Sequence, residues 1–382
     1  MRVLLACDKF KGTLTAAEVT DVLSRPLVGR GHETLSLPIA DGGDGTVAAA
    51  LARGYTPHTL TVTDPLGEPV EATWASHDDT AVIEMAQASG LALLPDGPDA
   101  TTALTATTRG TGEMIKAALD TGCSRIVLGI GGSATTDGGA GMLAALGVKL
   151  LDANGAPVPD GGVGLEQLVE VEMCDLDPRI ESGHADFTLA SDVMNPLLGE
   201  DGAAAVYGPQ KGAGPAEVAR LDAALAHYAS LVPGGGVHLR HSGAGAAGGV
   251  GFAALAVLGC EGCADESASG ADYVLDLLGF DAALASAEVV VTGEGRFDSQ
   301  SLNGKGPGRV VEKARERGLP VLVVAGSSEF PADAAADLGL AGLVTMDSHA
   351  PVEECLTRPA EVLTKAAEDL AALVDRALTP SV

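Results

Sequence analysis

The stretch RVLLACDKFKGTLTAAEVTDVLSRPLVGRGHETLSL, residues 2–37, decides the fold class. Its apolar beginning, Arg2–Cys7, predicts a buried β-strand. Thr15 and Glu18 have the spacing of a capping box, in which the hydroxyl and the carboxylate bind free backbone amides at the start of a helix. An apolar run near 34–37 predicts a second strand. This order of strand, helix and strand indicates a parallel sheet with helices packed on it.

The C-terminal part of the chain repeats the pattern. Strands are predicted at 287–291, 321–325 and 341–345, and helices at 305–317 and 359–378. Because these strands also alternate with helices, we expect them to belong to the same parallel sheet, covered on both faces.

The middle of the chain predicts a second α/β domain, inserted into the first. A single hydrophobic core rarely grows beyond about 250–300 residues, and the chain has 382. We place the joints near 65 and 285. Residues 1–65 and 285–382 would then form one domain, and residues 66–284 the other.

The acidic composition limits the classes of partner. The formal net charge is −29, with 23 basic against 52 acidic residues. Nucleic acids and anionic membrane surfaces both require a basic face, so neither is expected as a partner. No apolar run reaches the roughly 18 residues of a membrane span. The expected partners are therefore small molecules.

The cysteines give no sign of a metal or disulfide framework. The chain has six, and they are scattered. Cys260 and Cys263 form a C-x-x-C pair, but no second pair follows, which argues against a structural zinc site. No secretory signal precedes the first strand, so we expect a cytoplasmic protein.

Two lysines follow the first predicted strand. Lys9 and Lys11 come directly after Asp8, although the chain has only eight lysines. Ligands of open parallel sheets bind at the carboxyl ends of strands, and ammonium groups there would bind phosphate or carboxylate oxygens. The alternative is a solvated turn that precedes the capped helix.

Two carboxylates occupy the glycine-rich segment ADGGDGT, residues 40–46. Asp41 and Asp44 lie three residues apart, on backbone that glycine allows to turn tightly. Mg²⁺ usually takes one or two carboxylates, with water and phosphate completing its shell, so the pair predicts a magnesium site. Alternatively, Asp44 only caps the helix that begins near Thr46.

The segment GIGGSATTDGG, residues 129–139, follows a predicted strand and opens a predicted helix. Free amides at the helix start, with the nearby hydroxyls, predict a binding site for phosphate groups. The segment also fits G-x-G-x-x-A, with Asp152 further on, which is the outline of a dinucleotide-binding fingerprint. That alternative would make the protein an NAD-dependent dehydrogenase of a small hydroxy acid. A P-loop of the form G-x-x-x-x-G-K-[ST] is absent.

A carboxylate and an amide emerge together after the predicted strand 187–190. Asp192 and Asn195 would lie at the carboxyl end of this strand, where a substrate could meet them. The alternative is an Asx turn before Pro196, which is a common arrangement.

The segment TGEGRFDSQSLNGK, residues 292–305, is dense in charge of both signs. It contains Arg296, Asp298 and Lys305 after another predicted strand. Such a mixture is difficult to explain as a simple connector, so these side chains are candidates for binding a charged substrate.

Together, these segments resemble the glycerate kinase family, in its bacterial class I type. The resemblance is carried by six segments in chain order: DKFKGTLTA (8–16), PIADGGDGT (38–46), GIGGSATTDGGAGM (129–142), ASDVMNPLLG (190–199), GAGAAGG (243–249) and TGEGRFDSQSLNGK (292–305). It implies a flavodoxin-like domain with an inserted, restriction-endonuclease-like α/β domain.

The resemblance also implies an activity. The family phosphorylates glycerate with ATP and Mg²⁺, and this type mostly makes 2-phosphoglycerate. We therefore expect ATP-dependent phosphorylation of D-glycerate by in-line transfer in the cleft between the two domains. A non-catalytic organic-acid-binding protein is a further alternative, but it would not need so many acidic loops capable of holding magnesium.

The residue roles rest on chemistry rather than on the resemblance. Asp192 is expected as the catalytic base, because a lone and partly desolvated carboxylate accepts a proton readily. Lys9 and Lys11 are expected to stabilise the transferring phosphoryl group or the glycerate carboxylate. The other predicted contacts are Asp8, Asn195, Arg296, Asp298 and Lys305 for substrate, Gly131, Gly132, Ser133, Thr135 and Asp137 for the ATP phosphates, and Asp41 and Asp44 for Mg²⁺.

Overall fold

A computed structural model describes residues 1–40, 42–260, 270–299, 301–302 and 306–377. Its strands are β1 (Arg2–Cys7), β2 (Glu33–Ser36), β3 (Thr56–Thr63), β4 (Pro69–His77), β5 (Thr80–Glu84), β6 (Arg125–Gly129), β7 (Lys149–Leu151), β8 (Glu170–Glu172), β9 (Asp186–Ala190), β10 (Val289–Phe297), β11 (Val321–Ser328) and β12 (Gly342–Thr345).

The α-helices lie between these strands and after the last one. They are α1 (Ala16–Gly29), α2 (Thr46–Ala52), α3 (Ala86–Ser89), α4 (Ala100–Thr105), α5 (Arg109–Asp120), α6 (Ala140–Ala145), α7 (Pro178–Glu181), α8 (Ala203–Tyr207), α9 (Pro215–Leu231), α10 (Val250–Ala256), α11 (Gly270–Leu277), α12 (Phe280–Ser286), α13 (Gly306–Glu316), α14 (Val352–Thr357) and α15 (Pro359–Ala377). None that is described is long and apolar enough to cross a membrane.

The chain divides into two compact units, Met1–Asp41 with Ala271–Val382, and Gly42–Gly270. The divisions differ from the joints expected near 65 and 285. The division after residue 41 lies earlier than the expected joint near 65, because β3 pairs with β4 along its whole length and α2 packs on β5. The second lies earlier because α12 packs on β1 and Arg309 of α13 forms an ion pair with Asp272 of α11.

The first unit is a parallel sheet in the order β12-β11-β10-β1-β2. Counted within the unit, this is the order 5-4-3-1-2, which is the flavodoxin-like arrangement. The capping box predicted at the start of α1 is present, since Thr15 accepts from the Glu18 amide and Glu18 accepts from the Thr15 amide. The α/β class and the flavodoxin-like order are therefore confirmed.

The strand order of the first unit reverses between β1 and β10. These neighbouring strands pair in register, with Cys7 opposite Gly293, so their carboxyl ends lie side by side. Ligands of doubly wound sheets bind at such a reversal, outside the carboxyl ends of the strands. The segments that leave β1 and β10 are therefore the candidate ligand-binding segments of this unit.

The second unit contains a mixed sheet in the order β3-β4-β5-β6-β9. β3, β4 and β5 are antiparallel, whereas β5, β6 and β9 are parallel to one another. The apolar core includes Trp74, Tyr228 and Phe252, all buried. The three parallel strands end at Glu84, Gly129 and Ala190. Three of the segments singled out in the sequence therefore begin at, or pack against, one edge of this sheet.

Candidate active site

The lysine loop, residues 8–14, is a tight hairpin fixed at both ends. The Asp8 amide donates to a carbonyl of β10 over 2.8 Å, and Phe10 and Leu14 exchange two backbone hydrogen bonds. Phe10 and Leu14 are buried in the core of the first unit, whereas Lys11 between them is exposed. The hairpin therefore holds Lys11 at an exposed tip at the carboxyl end of β1.

Lys9 lies closer to the sheet than Lys11. The Asp8 side chain accepts a hydrogen bond from the Lys9 amide over 2.6 Å, and the same oxygen lies 3.8 Å from Lys9 Nζ. Asp8 itself is only 6% exposed. Its carboxylate therefore balances part of the Lys9 charge, which leaves Lys11 as the more available cation of the pair.

The strand β10 runs further than the sequence predicted. It was expected to end at Val291, but it continues to Phe297, and Arg296 pairs with Ser327 of β11. The extension depends on Gly293, because a Cβ there would lie 1.8 Å from a backbone oxygen of β11. The segment that begins at 292 is therefore largely strand rather than loop.

The end of β10, which carries the charged side chains of this segment, lies against the lysine loop. Arg296 has 72% of its side chain exposed, and its Nε lies 3.6 Å from Asp298 Oδ2. A Cβ on Gly295 would lie 3.1 Å from the Lys11 amide nitrogen, so the end of β10 touches the lysine loop. The structure thus places Arg296 beside Asp298 and the backbone of Gly295 against that of Lys11, while Lys305 lies outside the described residues.

In the second unit, two glycine-rich loops interlock at the carboxyl ends of β6 and β9. They are the aspartate loop, residues 42–45, and the glycine loop, residues 131–139. A Cβ on Gly42 would lie 2.5 Å from a backbone oxygen at the end of β9, and a Cβ on Gly131 would lie 2.5 Å from the Gly43 Cα. No side chain fits at these contacts, so the close approach requires glycine.

Asp44 extends from the aspartate loop toward the glycine loop. A Cβ on Gly132 would lie 2.6 Å from Asp44 Oδ1, and Asp44 is exposed. The N-cap position of α2 is Gly45, one residue after Asp44, so Asp44 does not occupy the capping position itself. Asp41, the other predicted magnesium ligand, lies outside the described residues.

The donor set near Asp44 fits a magnesium ion bound together with phosphate. Within the described residues, no group of three or more His, Cys, Asp and Glu side chains is arranged to hold a metal by itself. Mg²⁺ usually keeps water or phosphate oxygens and takes only one or two protein carboxylates. An exposed carboxylate beside a glycine-rich backbone meets that requirement.

Glu84 holds the aspartate loop in place, and sequence reasoning missed it. Its Oε1 accepts a hydrogen bond of 2.6 Å from the Val47 amide, at the start of α2. The side chain is buried, and burial raises the pKa of Glu84 above its ordinary value, with a smaller contribution from the Asp44 charge. The available signal was a glutamate at the end of an otherwise apolar strand.

Asp137 has a different role from the one predicted. It is fully buried, and burial raises the pKa of its carboxyl group against several hydrogen bonds that lower it. It accepts from the amide and hydroxyl of Thr108 over 2.9 and 2.8 Å, and from the amides of Gly139 and Gly141 over 3.1 and 3.2 Å. The Met142 amide donates to the Thr108 hydroxyl.

The amides at the start of α6 are therefore already satisfied by protein. The expected phosphate site on this helix start is wrong for that reason, since a ligand anion would have to displace a buried carboxylate. Thr135 is also buried, whereas Gly132 is exposed and Ser133 is 7% exposed. The part of the glycine loop that a phosphate group could reach is thus Gly131–Ser133.

A buried lysine lies beneath this accessible part, and sequence reasoning missed it as well. Lys211 is 2% exposed, and its ammonium group donates to Ser133 Oγ over 2.9 Å and to the Thr135 carbonyl over 2.6 Å. The signal in the sequence was a scarce lysine within a Gly-Pro-Gln-Lys-Gly segment, residues 208–212.

Asp192 and Asn195, the two predicted site residues after β9, have different surroundings. Asp192 is half-buried near the end of the strand, where it stays the predicted base. Asn195 instead holds its own loop together: Tyr207 donates to its Oδ1 over 2.7 Å, and its Nδ2 donates to the Asp201 carbonyl over 2.9 Å. Substrate binding by Asn195 would have to break these bonds.

The dinucleotide-binding alternative does not fit the fold. Asp152 would have to follow the strand next to β6 in the same parallel sheet. It follows β7 instead, which pairs with β8 in a separate antiparallel ribbon. Its Oδ1 accepts from the amides of Asn154 and Ala156, so it serves a local turn.

Comparison with known proteins gives one consistent result. Residues 3–375 match the Glycerate kinase family. The chain is 41% identical to glycerate kinase of Bacillus subtilis (strain 168), over 99% of both chains. It is 43% identical to glycerate 2-kinase of Escherichia coli (strain K12), over 86% of this chain and 85% of the other. A crystal structure described as glycerate kinase 2 from Salmonella typhimurium LT2 superposes with a TM-score of 0.80, at 38% identity, and covers 98% of each chain.

Proposed function

Because the chain belongs to the glycerate kinase family, and is thus a kinase that acts on an alcohol group, we propose that it transfers the γ-phosphoryl group of ATP to the C2 hydroxyl of D-glycerate. The observation that carries the proposal is the contact between Asp44 and Gly132. It combines a carboxylate able to hold Mg²⁺ with a glycine backbone that a phosphate group can approach closely.

The nucleotide is proposed to bind with its phosphates against Gly131–Ser133. In this segment the backbone is accessible at Gly132, and the Ser133 hydroxyl is held by Lys211. Asp44, with Asp41, would hold Mg²⁺, which neutralises charge on the phosphate oxygens when it is bound. The strongly acidic chain makes such local positive charge necessary, because its net charge of −29 repels ATP.

The acceptor is proposed to bind through its carboxylate. Lys11 and Arg296 are exposed cations on segments that leave β1 and end β10, at the strand-order reversal of the first unit, and Lys9 belongs to the same loop as Lys11. Ammonium and guanidinium groups form short, charge-assisted hydrogen bonds with carboxylates. A small hydroxy acid offers one carboxylate, so a cluster of this size is sufficient for it.

The chemical step is proposed as in-line phosphoryl transfer. The C2 oxygen of glycerate forms a bond to the γ-phosphorus, the bond from that phosphorus to the bridging oxygen breaks, and ADP leaves. Asp192 takes the proton of the attacking hydroxyl, which would contribute roughly 10²–10⁴-fold in rate. Attack by C2, rather than C3, is supported by the name glycerate 2-kinase of the Escherichia coli relative.

The test of this proposal is stoichiometric. Purified protein is supplied with D-glycerate, Mg²⁺ and either ATP or NAD, and ADP and NADH are both measured. We expect one ADP for each glycerate consumed, no NADH, and loss of turnover when a chelator removes Mg²⁺. Turnover without nucleotide consumption, or full activity in the chelator, would contradict the proposed reaction.

A further inference from the structure

Lys211 is unusual among the lysines of this chain. Of those that the structure describes, it is the one that is buried. It ends the short helical turn Pro209–Lys211, and Gly212 follows with φ +96, where a Cβ would lie 2.4 Å from the Asp99 carbonyl oxygen. The segment is thus fixed by close packing, and the lysine side chain extends from it into the second unit.

The hydrogen-bond partners of the ammonium group are neutral. Its two hydrogen-bond acceptors are Ser133 Oγ and the Thr135 carbonyl, and both belong to the glycine loop. Burial of a charge is unfavourable unless an opposite charge compensates it. A neutral donor could satisfy the same two acceptors without that cost. The buried Asp137 carboxyl group acts on the ammonium group, but its hydrogen bonds go to Thr108, Gly139 and Gly141. An anion on the accessible side of the glycine loop would supply a further counter-charge, which explains the choice of lysine best.

We propose that Lys211 is a positioning residue for the phosphate groups of the nucleotide: it fixes the conformation of Gly131–Thr135 and supplies positive charge beneath the segment. The inference rests on the proposed nucleotide site and adds a specific consequence. Nucleotide binding should be coupled to the protonation of a buried amine, because the anion stabilises the charged form of that amine.

The surroundings of Lys211 support this coupling. Burial lowers the pKa of Lys211 to about 7, and the Asp137 carboxylate opposes the shift. Other titratable groups of this site are Asp44, which is exposed beside Gly132, Tyr228 of α9, which packs on the glycine loop, and Tyr207 of α8, just before the turn. Burial raises the pKa of both tyrosines, so neither exchanges a proton near neutral pH.

The decisive experiment measures proton uptake on binding. The β,γ-imido analogue of ATP, with Mg²⁺, is titrated into the wild-type protein by calorimetry at pH 8, in several buffers of different ionisation enthalpy. Above the pKa of Lys211 the free protein holds mostly neutral amine, so we expect uptake of roughly 0.5–1 proton for each nucleotide. This measurement needs no variant, so it does not depend on how well a substituted protein folds.

Three variants assign the proton. Lys211→Met should weaken nucleotide binding about tenfold or more and abolish the uptake, whereas Lys211→Arg should keep most of the affinity without uptake, since arginine stays charged. Lys116→Met removes an exposed lysine of the same unit and should behave as the wild type.

Binding of the analogue without proton uptake, or uptake that persists in Lys211→Met, would overturn the role of Lys211 alone. No binding of the analogue by the wild type would overturn the proposed nucleotide site and this inference with it.

Discussion

Asp44 lies so close to Gly132 that a side chain on the second residue would displace the Asp44 carboxylate: a Cβ on Gly132 would lie 2.6 Å from Asp44 Oδ1. Gly132 also has φ +72, a conformation that residues with a side chain adopt at a cost. The contact links a candidate magnesium ligand to the candidate phosphate-binding backbone. Several predictions of the proposed reaction depend on it.

Gly132→Ala should displace Asp44 and impair nucleotide binding. We expect the KM for ATP with Mg²⁺ to rise about tenfold, which corresponds to roughly 1.4 kcal/mol of binding free energy, with a much smaller change in the KM for glycerate. The matched control is Gly122→Ala, because Gly122 has φ +97 but no atom within 4 Å of its Cβ position. Equal effects of the two substitutions would mean that backbone strain, rather than the Asp44 contact, is responsible.

Asp44→Asn should lose activity in a way that metal restores. Removal of a metal ligand weakens binding of the ion, so activity should fall by about tenfold or more at low Mg²⁺ and recover in part at high Mg²⁺ or with Mn²⁺. The measurement is initial rate against metal concentration. A defect that no metal concentration improves would remove Asp44 from the metal site.

Asp192→Asn is the contrasting variant, because it tests a base rather than a ligand. Here kcat should fall by roughly 10²–10⁴-fold with both KM values nearly unchanged, and added metal should have no effect. Metal rescue of Asp192→Asn, together with none for Asp44→Asn, would exchange the two assignments.

Lys11→Ala should weaken the use of glycerate. The ammonium group lies at the exposed tip of a hairpin whose ends are buried, so its removal leaves the fold intact. We expect kcat/KM for glycerate to fall about tenfold or more. Lys365→Ala, which removes an exposed lysine from α15, is the control. An unchanged kcat/KM in Lys11→Ala would return the hairpin to the role of a solvated turn.

Glu84→Gln should change how stability depends on pH. The folded-state pKa of Glu84 is raised by burial, so the folded state binds more protons than the unfolded state between the ordinary and the raised value. The free energy of unfolding of the wild type should therefore fall, relative to Glu84→Gln, as pH rises through this interval. Urea unfolding at pH 4–8 measures it, with the exposed Glu71→Gln as control. Parallel pH curves for the wild type and Glu84→Gln would contradict the raised pKa.

Much of the first unit could be predicted because its signals are local. The strand Arg2–Cys7 and the capping box at Thr15 and Glu18 depend on neighbouring residues only, and the structure contains both. The full length of β10 could not be predicted in this way. Gly293 suggests a loop in the sequence, yet it allows two strands to pack closely, and that contact involves residues far along the chain.

The candidate site was predictable in its loops but not in the direction of their side chains. Asp44 and Asp137 both lie in glycine-rich loop segments, yet the first is exposed and the second is fully buried. Tertiary packing decides between these outcomes, and no pattern of spacing records it. The role of Lys211 could not be predicted from the sequence for the same reason, since only the folded chain brings it to Ser133.

The most direct test of the central claim is phosphorus NMR of the product formed from D-glycerate, ATP and Mg²⁺. The proposed reaction predicts a single new phosphate monoester that coincides with added 2-phosphoglycerate and couples to one proton on C2. ADP should accumulate in equal amount. A product that coincides with 3-phosphoglycerate would contradict attack by the C2 hydroxyl, and the absence of any phosphate monoester would contradict the proposed phosphoryl transfer itself.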